Sequence, residues 1–136
     1  MNLVVMLPTY NERQSIGSLL SAFSELEIDG VTLSILVIDD NSPDGTANYV
    51  ESLKVSNVDI LKRPIKDGLG NAYKSGIEKI LQDSKVTHLT SMDADSSHRI
   101  VDLINLIKTA QSNPNADLII GSRWVPGGGI ENWPAP

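Results

Sequence analysis

The chain has 136 residues, 40% hydrophobic and 21% charged, and its seventeen acidic and eleven basic residues give a formal charge of −6. That is one domain's worth of sequence with enough apolar residues for a core, so a disordered chain is excluded, as is a general nucleic-acid binder, which needs a basic field to displace counterions. Cysteine is absent, which excludes disulfides, thiolate metal sites and a cysteine nucleophile. A nucleotide ligand stays open, because a divalent cation can supply the missing positive charge. The apolar run Leu3–Leu7 is too short for a signal-peptide core and has no basic start, and no stretch approaches the roughly 20 apolar residues of a membrane span.

Leu3 to Leu7, ended by Pro8, predicts a strand buried on both faces. Ile16, Leu19, Leu20, Phe23 and Leu26 recur at helical spacing. Ser34 to Ile38 reads as a second buried strand, and the turn Asn41-Ser42-Pro43-Asp44-Gly45 places Asp44 to cap a helix from about Gly45 to Leu53. Val58 to Leu61 is a third strand, and Ala72, Tyr73, Gly76, Ile77, Ile80 and Leu81 mark the next helix. His88 to Met92 is a fourth strand, Ile100 to Ala110 a helix, and Leu118 to Ile120 a fifth strand after the turn Asn113-Pro114-Asn115. Alternating strands and helices imply a doubly wound α/β fold with a mainly parallel sheet and helices on both faces.

In such a sheet ligands bind beyond the carboxyl ends of the strands. Polar clusters follow four of them: Pro8-Thr9-Tyr10-Asn11-Glu12, Asp39-Asp40-Asn41, Asp93-Ala94-Asp95 and Gly121-Ser122-Arg123. A core has no need of this. Asp93 and Asp95, at i and i+2 of an extended chain, point the same way and form a hard oxygen pair suited to Mg²⁺ or Mn²⁺. An isolated Asp-X-Asp is more often a turn or cap; here it follows a strand and has Asp39 and Asp40 on a neighbouring rim.

Asp39 and Asp40 suit hydrogen bonds from a base or ribose, against the plainer reading of a cap with a solvated neighbour. Arg123 reads as the one cation on the rim beside a strand end, able to bind diphosphate or to form a surface ion pair. Gly68-Leu69-Gly70 lets backbone approach a phosphate, but no Walker lysine follows and the third position of a G-x-G-x-x-G pattern is Tyr73. His98 is a supporting or substrate contact or a helix-start histidine, His88 is structural, and Trp124 is expected to pack in the core. Gly127 to Gly129 and Trp133-Pro134-Ala135-Pro136 read as a loop stopped midway, so the expectation is a single domain over 1–136 that is the front part of a longer protein.

Pro8-Thr9-Tyr10-Asn11-Glu12 and Asp39 to Thr46 resemble the start of an inverting glycosyltransferase of family 2 with the GT-A fold. Gly68-Leu69-Gly70-Asn71-Ala72-Tyr73, Met92 to His98, Ile120 to Gly128 and Asn132-Trp133-Pro134 narrow the resemblance to the polyprenol-phosphate mannosyltransferases, the dolichol-phosphate mannose synthase group. The ordered set covers essentially the whole chain. The resemblance implies GDP-mannose as donor, a polyprenyl (dolichyl) monophosphate as acceptor, and work at the cytoplasmic face of a membrane, through a later segment or an anchoring partner. It assigns Pro8, Tyr10, Glu12, Val37 and Asp39 to the guanosine pocket, with Ala94 beside the nucleotide. Asp93 and Asp95 hold the metal in that assignment, Ser97 is a weak further ligand, and Arg123 contacts donor phosphate or sugar. Asp95 and Arg123 are thereby its catalytic residues.

Two departures stand out. Ser96 occupies a position where the family commonly has an apolar residue, and the basic acceptor-side residues that follow the tryptophan in the family do not occur by Pro136. The competing readings are a polyprenol-phosphate enzyme using UDP-glucose or another UDP-sugar, a sugar-1-phosphate nucleotidyltransferase, and a nucleotide-binding domain without turnover. The nucleotidyltransferase needs a Gly-rich basic loop after strand one, where this chain has Pro8 to Glu12. The first rival shares fold, metal and acceptor type, and Asn41 to Thr46 with the Gly-Gly…Asn-Trp stretch favours mannose over it.

Overall fold

Four strands alternate with four helices along residues 1–130, the part of the chain that the structure, a computed structural model, describes. They are β1 (Asn2–Thr9), α1 (Arg13–Ser24), β2 (Thr32–Asp39), α2 (Thr46–Leu53), β3 (Val58–Lys62), α3 (Leu69–Ile80), β4 (His88–Ser91) and α4 (Ile100–Ser112). The chain divides into two units. The first, Met1–His98, holds the sheet and α1 to α3; the second, from Arg99 on, holds α4.

All pairings are parallel, in the order β3-β2-β1-β4. Two successive crossovers, through α1 and α2, step in one direction, and the third, through α3, returns across the sheet to β4. Because such crossovers are right-handed, α1 and α2 lie on one face and α3 on the other. The core agrees with this. Val4, Met6, Leu36 and Ile38 pack with Ala72 and Ile80 of α3. The alternate residues Leu3, Val5, Leu7, Ile35 and Val37 are also buried, as are Ile16, Leu19, Leu20 and Phe23 of α1 and Ala47 and Val50 of α2.

Close approach of α3 to the sheet depends on Gly76. A Cβ there would lie 2.5 Å from Ile38 Cδ1 and 3.2 Å from Met6 Sδ. Gly76→Ala should therefore lower stability by about 1 kcal/mol, overpacking outweighing the gain in helix propensity, read as a lower midpoint in urea denaturation.

Strand one does not stop at Pro8 but runs through it, paired residue for residue with β2 as far as Thr9↔Asp39. Met92 N–H donates to the Met6 carbonyl and Thr87 N–H to the Asn2 carbonyl, so even-numbered residues of β1 face β4. The β4 ladder ends at Met6↔Ser91, so the N–H that proline lacks has no partner to lose.

The expected fifth strand is not formed. Leu118 and Ile120 are about three-quarters exposed, and the second unit contains no strand among its described residues. An apolar run supplies the pattern of a strand, but a ladder needs a neighbouring backbone, and this unit offers none. Trp124 is 82% exposed, so it does not pack in a core here. Val125-Pro126-Gly127-Gly128 forms a type II turn: Gly128 N–H donates to the Val125 carbonyl at 2.8 Å, and Gly127 takes the positive φ of 84° that this turn reserves for glycine. Trp133 and its neighbours lie outside the described residues.

Candidate functional site

The direction of winding reverses between β1 and β4, and a doubly wound sheet opens its crevice beyond the carboxyl ends of such a strand pair. A cavity of about 460 Å³ lies at this rim, lined among others by Asn11, Glu12, Arg13, Ser15, Asp44 and Asp95. The residues after β1 and those after β4 thus meet in one place, as the strand-end reading requires.

The loop leaving β1 is held by side chains of the β2–α2 turn. Glu12 N–H donates to Thr46 Oγ1 (3.1 Å), and Thr46 Oγ1 donates to Asp44 Oδ1 (2.5 Å). Arg13 N–H donates to Asp44 Oδ2, and the Arg13 guanidinium to the Asp44 carbonyl. Asp44 was expected to cap α2, but Gly45 (φ 78°) is the N-cap residue. Asp44 accepts from Thr46 N–H two residues on and also ties α1 to α2. Burial pushes the Asp44 carboxyl up, but the Thr46 and Arg13 hydrogen bonds outweigh it and hold it below the ordinary carboxylate value. A depressed folded pKa gives stability that is present above about pH 3.9 and is lost as pH falls through the folded value. Asp44→Asn should therefore melt lower than the parent at neutral pH, with the difference closing in acid below that point.

At the end of β2, Asp39 is buried and internally engaged: Oδ1 accepts from Thr9 Oγ1 (3.0 Å) and Ser42 Oγ (2.6 Å), and Oδ2 from Ser42 N–H (3.0 Å). One lone pair of Oδ2 is left for a ligand. Asp40 is buried against Arg63 (2.7 Å), which also pairs with Asp67. Arg63 directly follows β3, so Arg123 is not the one cation beside a strand end. The signal was present in Lys62-Arg63-Pro64, since a proline after the third strand marks a rim. A second cavity, of about 140 Å³, is lined by Asp39, Ser42, Asn48, Lys62 and Arg63 among others. Val37 is fully buried within the sheet and Pro8 half-buried; neither lines either cavity. Tyr10 is exposed, with Lys66 Nζ 3.9 Å above its ring centre.

After β4 the chain bends instead of staying extended. Ala94 is buried, Ser96 takes a left-handed φ of 69°, and Ser97 N–H donates to Asp95 Oδ1 (2.9 Å). That hydrogen bonding to Ser97 holds the Asp95 carboxyl below its ordinary value, against a small opposing effect of burial. Asp93 N–H donates to His98 Nδ1 (3.0 Å), and His98 Nε2 lies 3.7 Å from Asp93 Oδ2. Hence Asp95 lines the larger cavity while Asp93 faces His98, and the i, i+2 argument for an extended chain does not describe the pair. Tyr73 of α3 stands beside Ser91 and Asp93; burial raises its phenol, more than the Ser91 hydrogen bond lowers it. Ser97 is exposed, and His88 pairs with Thr87 Oγ1 (2.8 Å) at the opposite end of β4.

Asp95, which lines the cavity, and Asp93, two residues before it, offer hard carboxylate oxygens of the kind a divalent cation takes. Among the described residues no three His, Cys, Asp or Glu side chains gather on one point, so such a cation would take its other ligands from water and phosphate oxygens, the usual habit of Mg²⁺. Arg123 lies in the second unit, where it opens the turn-rich stretch from Arg123 to Gly127. No helix among the described residues is long and apolar enough to cross a membrane.

An undecaprenyl-phosphate mannosyltransferase of Micrococcus luteus is 39% identical over 98% of this chain and 53% of its own length. A polyprenol monophosphomannose synthase of Mycolicibacterium smegmatis is 38% identical over 96% of this chain and 48% of its own. A dolichol-phosphate mannosyltransferase of Pyrococcus furiosus is 35% identical over 98% and 36%. The chain thus spans about half the length, or less, of these curated relatives. Two solved structures share the fold. The mannosyltransferase PcManGT of Pyrobaculum calidifontis, in complex with GDP-Man and Mn²⁺, has a TM-score of 0.61 and 21% identity over 79% of this chain and 32% of its own. S. aureus TarS has a TM-score of 0.66 and 19% identity over 91% and 40%. The sequence pattern of glycosyl transferase family 2 matches residues 4–136, and the chain belongs to that family.

Proposed function

We propose that this chain forms the donor-binding part of an enzyme that transfers mannose from GDP-mannose to a polyprenyl monophosphate, with inversion at the anomeric carbon. The observation that carries it is the meeting of Glu12 and Asp95 in one cavity at the β1/β4 switch point, in a chain 35–39% identical to relatives named for this chemistry. In this reading Tyr10, Glu12 and Asp39 receive the guanosine, Asp39 through its remaining lone pair, and Asp93 and Asp95 hold Mg²⁺ or Mn²⁺ against the diphosphate. Ala94 lies beside the nucleotide, and Arg123 is assigned to donor phosphate or sugar by resemblance.

An acceptor phosphate is already anionic near neutral pH, so no strong general base is needed. Its oxygen bonds to the anomeric carbon as the bond to GDP breaks, and GDP departs with the electron pair. A bound divalent cation would supply charge stabilisation for that leaving group. Asp95 is kept ionised by Ser97, so its charge is in place before the donor arrives. The acceptor's presence in a membrane would place the work at a membrane surface, on the side that holds nucleotide sugars.

Calorimetric titration with GDP-mannose and with UDP-glucose, each with Mn²⁺ and with EDTA, tests the reading. Binding of GDP-mannose that Mn²⁺ tightens well beyond the EDTA baseline is the expected result. Preference for UDP-glucose would overturn the donor assignment while leaving the site in place.

A further inference from the structure

Ser15 lies in the first turn of α1, half-buried on the wall of the larger cavity. Its hydroxyl is 3.2 Å from the Ala94 carbonyl, 3.0 Å from Glu12 Oε2 and 3.2 Å from the Glu12 carbonyl. The Ala94 contact joins residues 79 apart in sequence, between the start of α1 and the bend after β4. Ala94 is the middle residue of the bend, and its buried side chain leaves the carbonyl to be satisfied by this hydroxyl. Ser96, just beyond it, sits in a left-handed conformation that a non-glycine residue adopts only when its surroundings hold it there.

We infer that Ser15 is a positioning residue, whose hydroxyl pins the Ala94 carbonyl to the start of α1 and so sets where Asp95 presents its carboxylate. A hydroxyl has one proton, so its donation is shared between the Ala94 carbonyl and the Glu12 oxygens. Occupation of Glu12 by a ligand's own donor releases the Ser15 proton to Ala94. The nucleoside end of the cavity and the carboxylate end are thereby joined through a single side chain. This inference rests on the reading of Asp95 as a cation ligand.

The test uses the full chain and the variants Ser15→Ala and Ser15→Thr. Alanine is the better helix former, so the first variant is expected to fold; threonine keeps the hydroxyl. In metal-free protein, hydrogen exchange at the Asp93 and Ser97 amides, both hydrogen-bonded within the bend, should quicken about fivefold in Ser15→Ala and return toward the parent rate in Ser15→Thr. Calorimetry with GDP and Mn²⁺ should show affinity weakened by a similar factor in Ser15→Ala, and GDP with EDTA should show a smaller loss, that of the Glu12 contact alone. Unchanged exchange in Ser15→Ala overturns the inference, as does an affinity loss of equal size with and without metal. If the parent itself fails to bind GDP with Mn²⁺, the proposed function fails, while the exchange rates still decide whether Ser15 holds the bend.

Discussion

Asp95→Asn should weaken Mn²⁺-dependent binding of GDP-mannose by at least about 100-fold, since even partners one shell out from a metal are worth 10–100-fold. Asparagine keeps the size of aspartate and an oxygen able to accept from Ser97 N–H, so the bend survives the change. What it removes is the charge. Mg²⁺ and Mn²⁺ are hard cations held by few protein oxygens, so the loss of one carboxylate is a large share of the protein's contribution. Calorimetry with Mn²⁺ reads the loss, and the same titration with EDTA supplies the baseline, which should not move. Undiminished metal-dependent binding in the variant would remove the assignment of Asp95 as a ligand.

The doubly wound order was legible because its signals are local: apolar runs too short for helices, alternating with runs at helical spacing, fix strand and helix in turn. Pro8 misled as a terminator because its effect depends on which edge its missing N–H faces, which only the ladder to β4 reveals. Leu118–Ile120 misled in the opposite sense, having a strand's composition without a backbone to pair with. At the site, the geometry of the Asp93-Ala94-Asp95 element was not legible. The left-handed Ser96 and the Ser15 contact with Ala94 turn the chain, and neither leaves a mark in residue spacing. Asp39 and Asp40 looked alike on the page, yet one is satisfied by Thr9 and Ser42 and the other by Arg63, partners up to thirty positions away.

Arg63→Met should lower stability by about 3–5 kcal/mol, the range for stripping one partner from a buried ion pair. The Arg63 and Asp40 side chains are only 9% and 7% exposed, so Asp40 would be left as a buried carboxylate with no counter-charge. The converse change, Asp40→Asn, should cost less, about 2 kcal/mol, because Arg63 keeps its pairing with the more exposed Asp67. If the two residues form one unit, the double variant will be less destabilised than the sum of the single changes. Urea denaturation of the four proteins closes that cycle. The pair ties the end of β2 to the end of β3, where Arg63 N–H also donates to the Asp39 carbonyl (2.8 Å), and through Asp67 it reaches the loop entering α3. Its loss should therefore loosen the floor on which Asp39 stands and weaken GDP binding even with EDTA, unlike Asp95→Asn, whose effect requires the metal. A cost below about 1 kcal/mol for Arg63→Met would place the pair with solvated surface bridges and leave the order of the Asp39 loop to Thr9 and Ser42 alone.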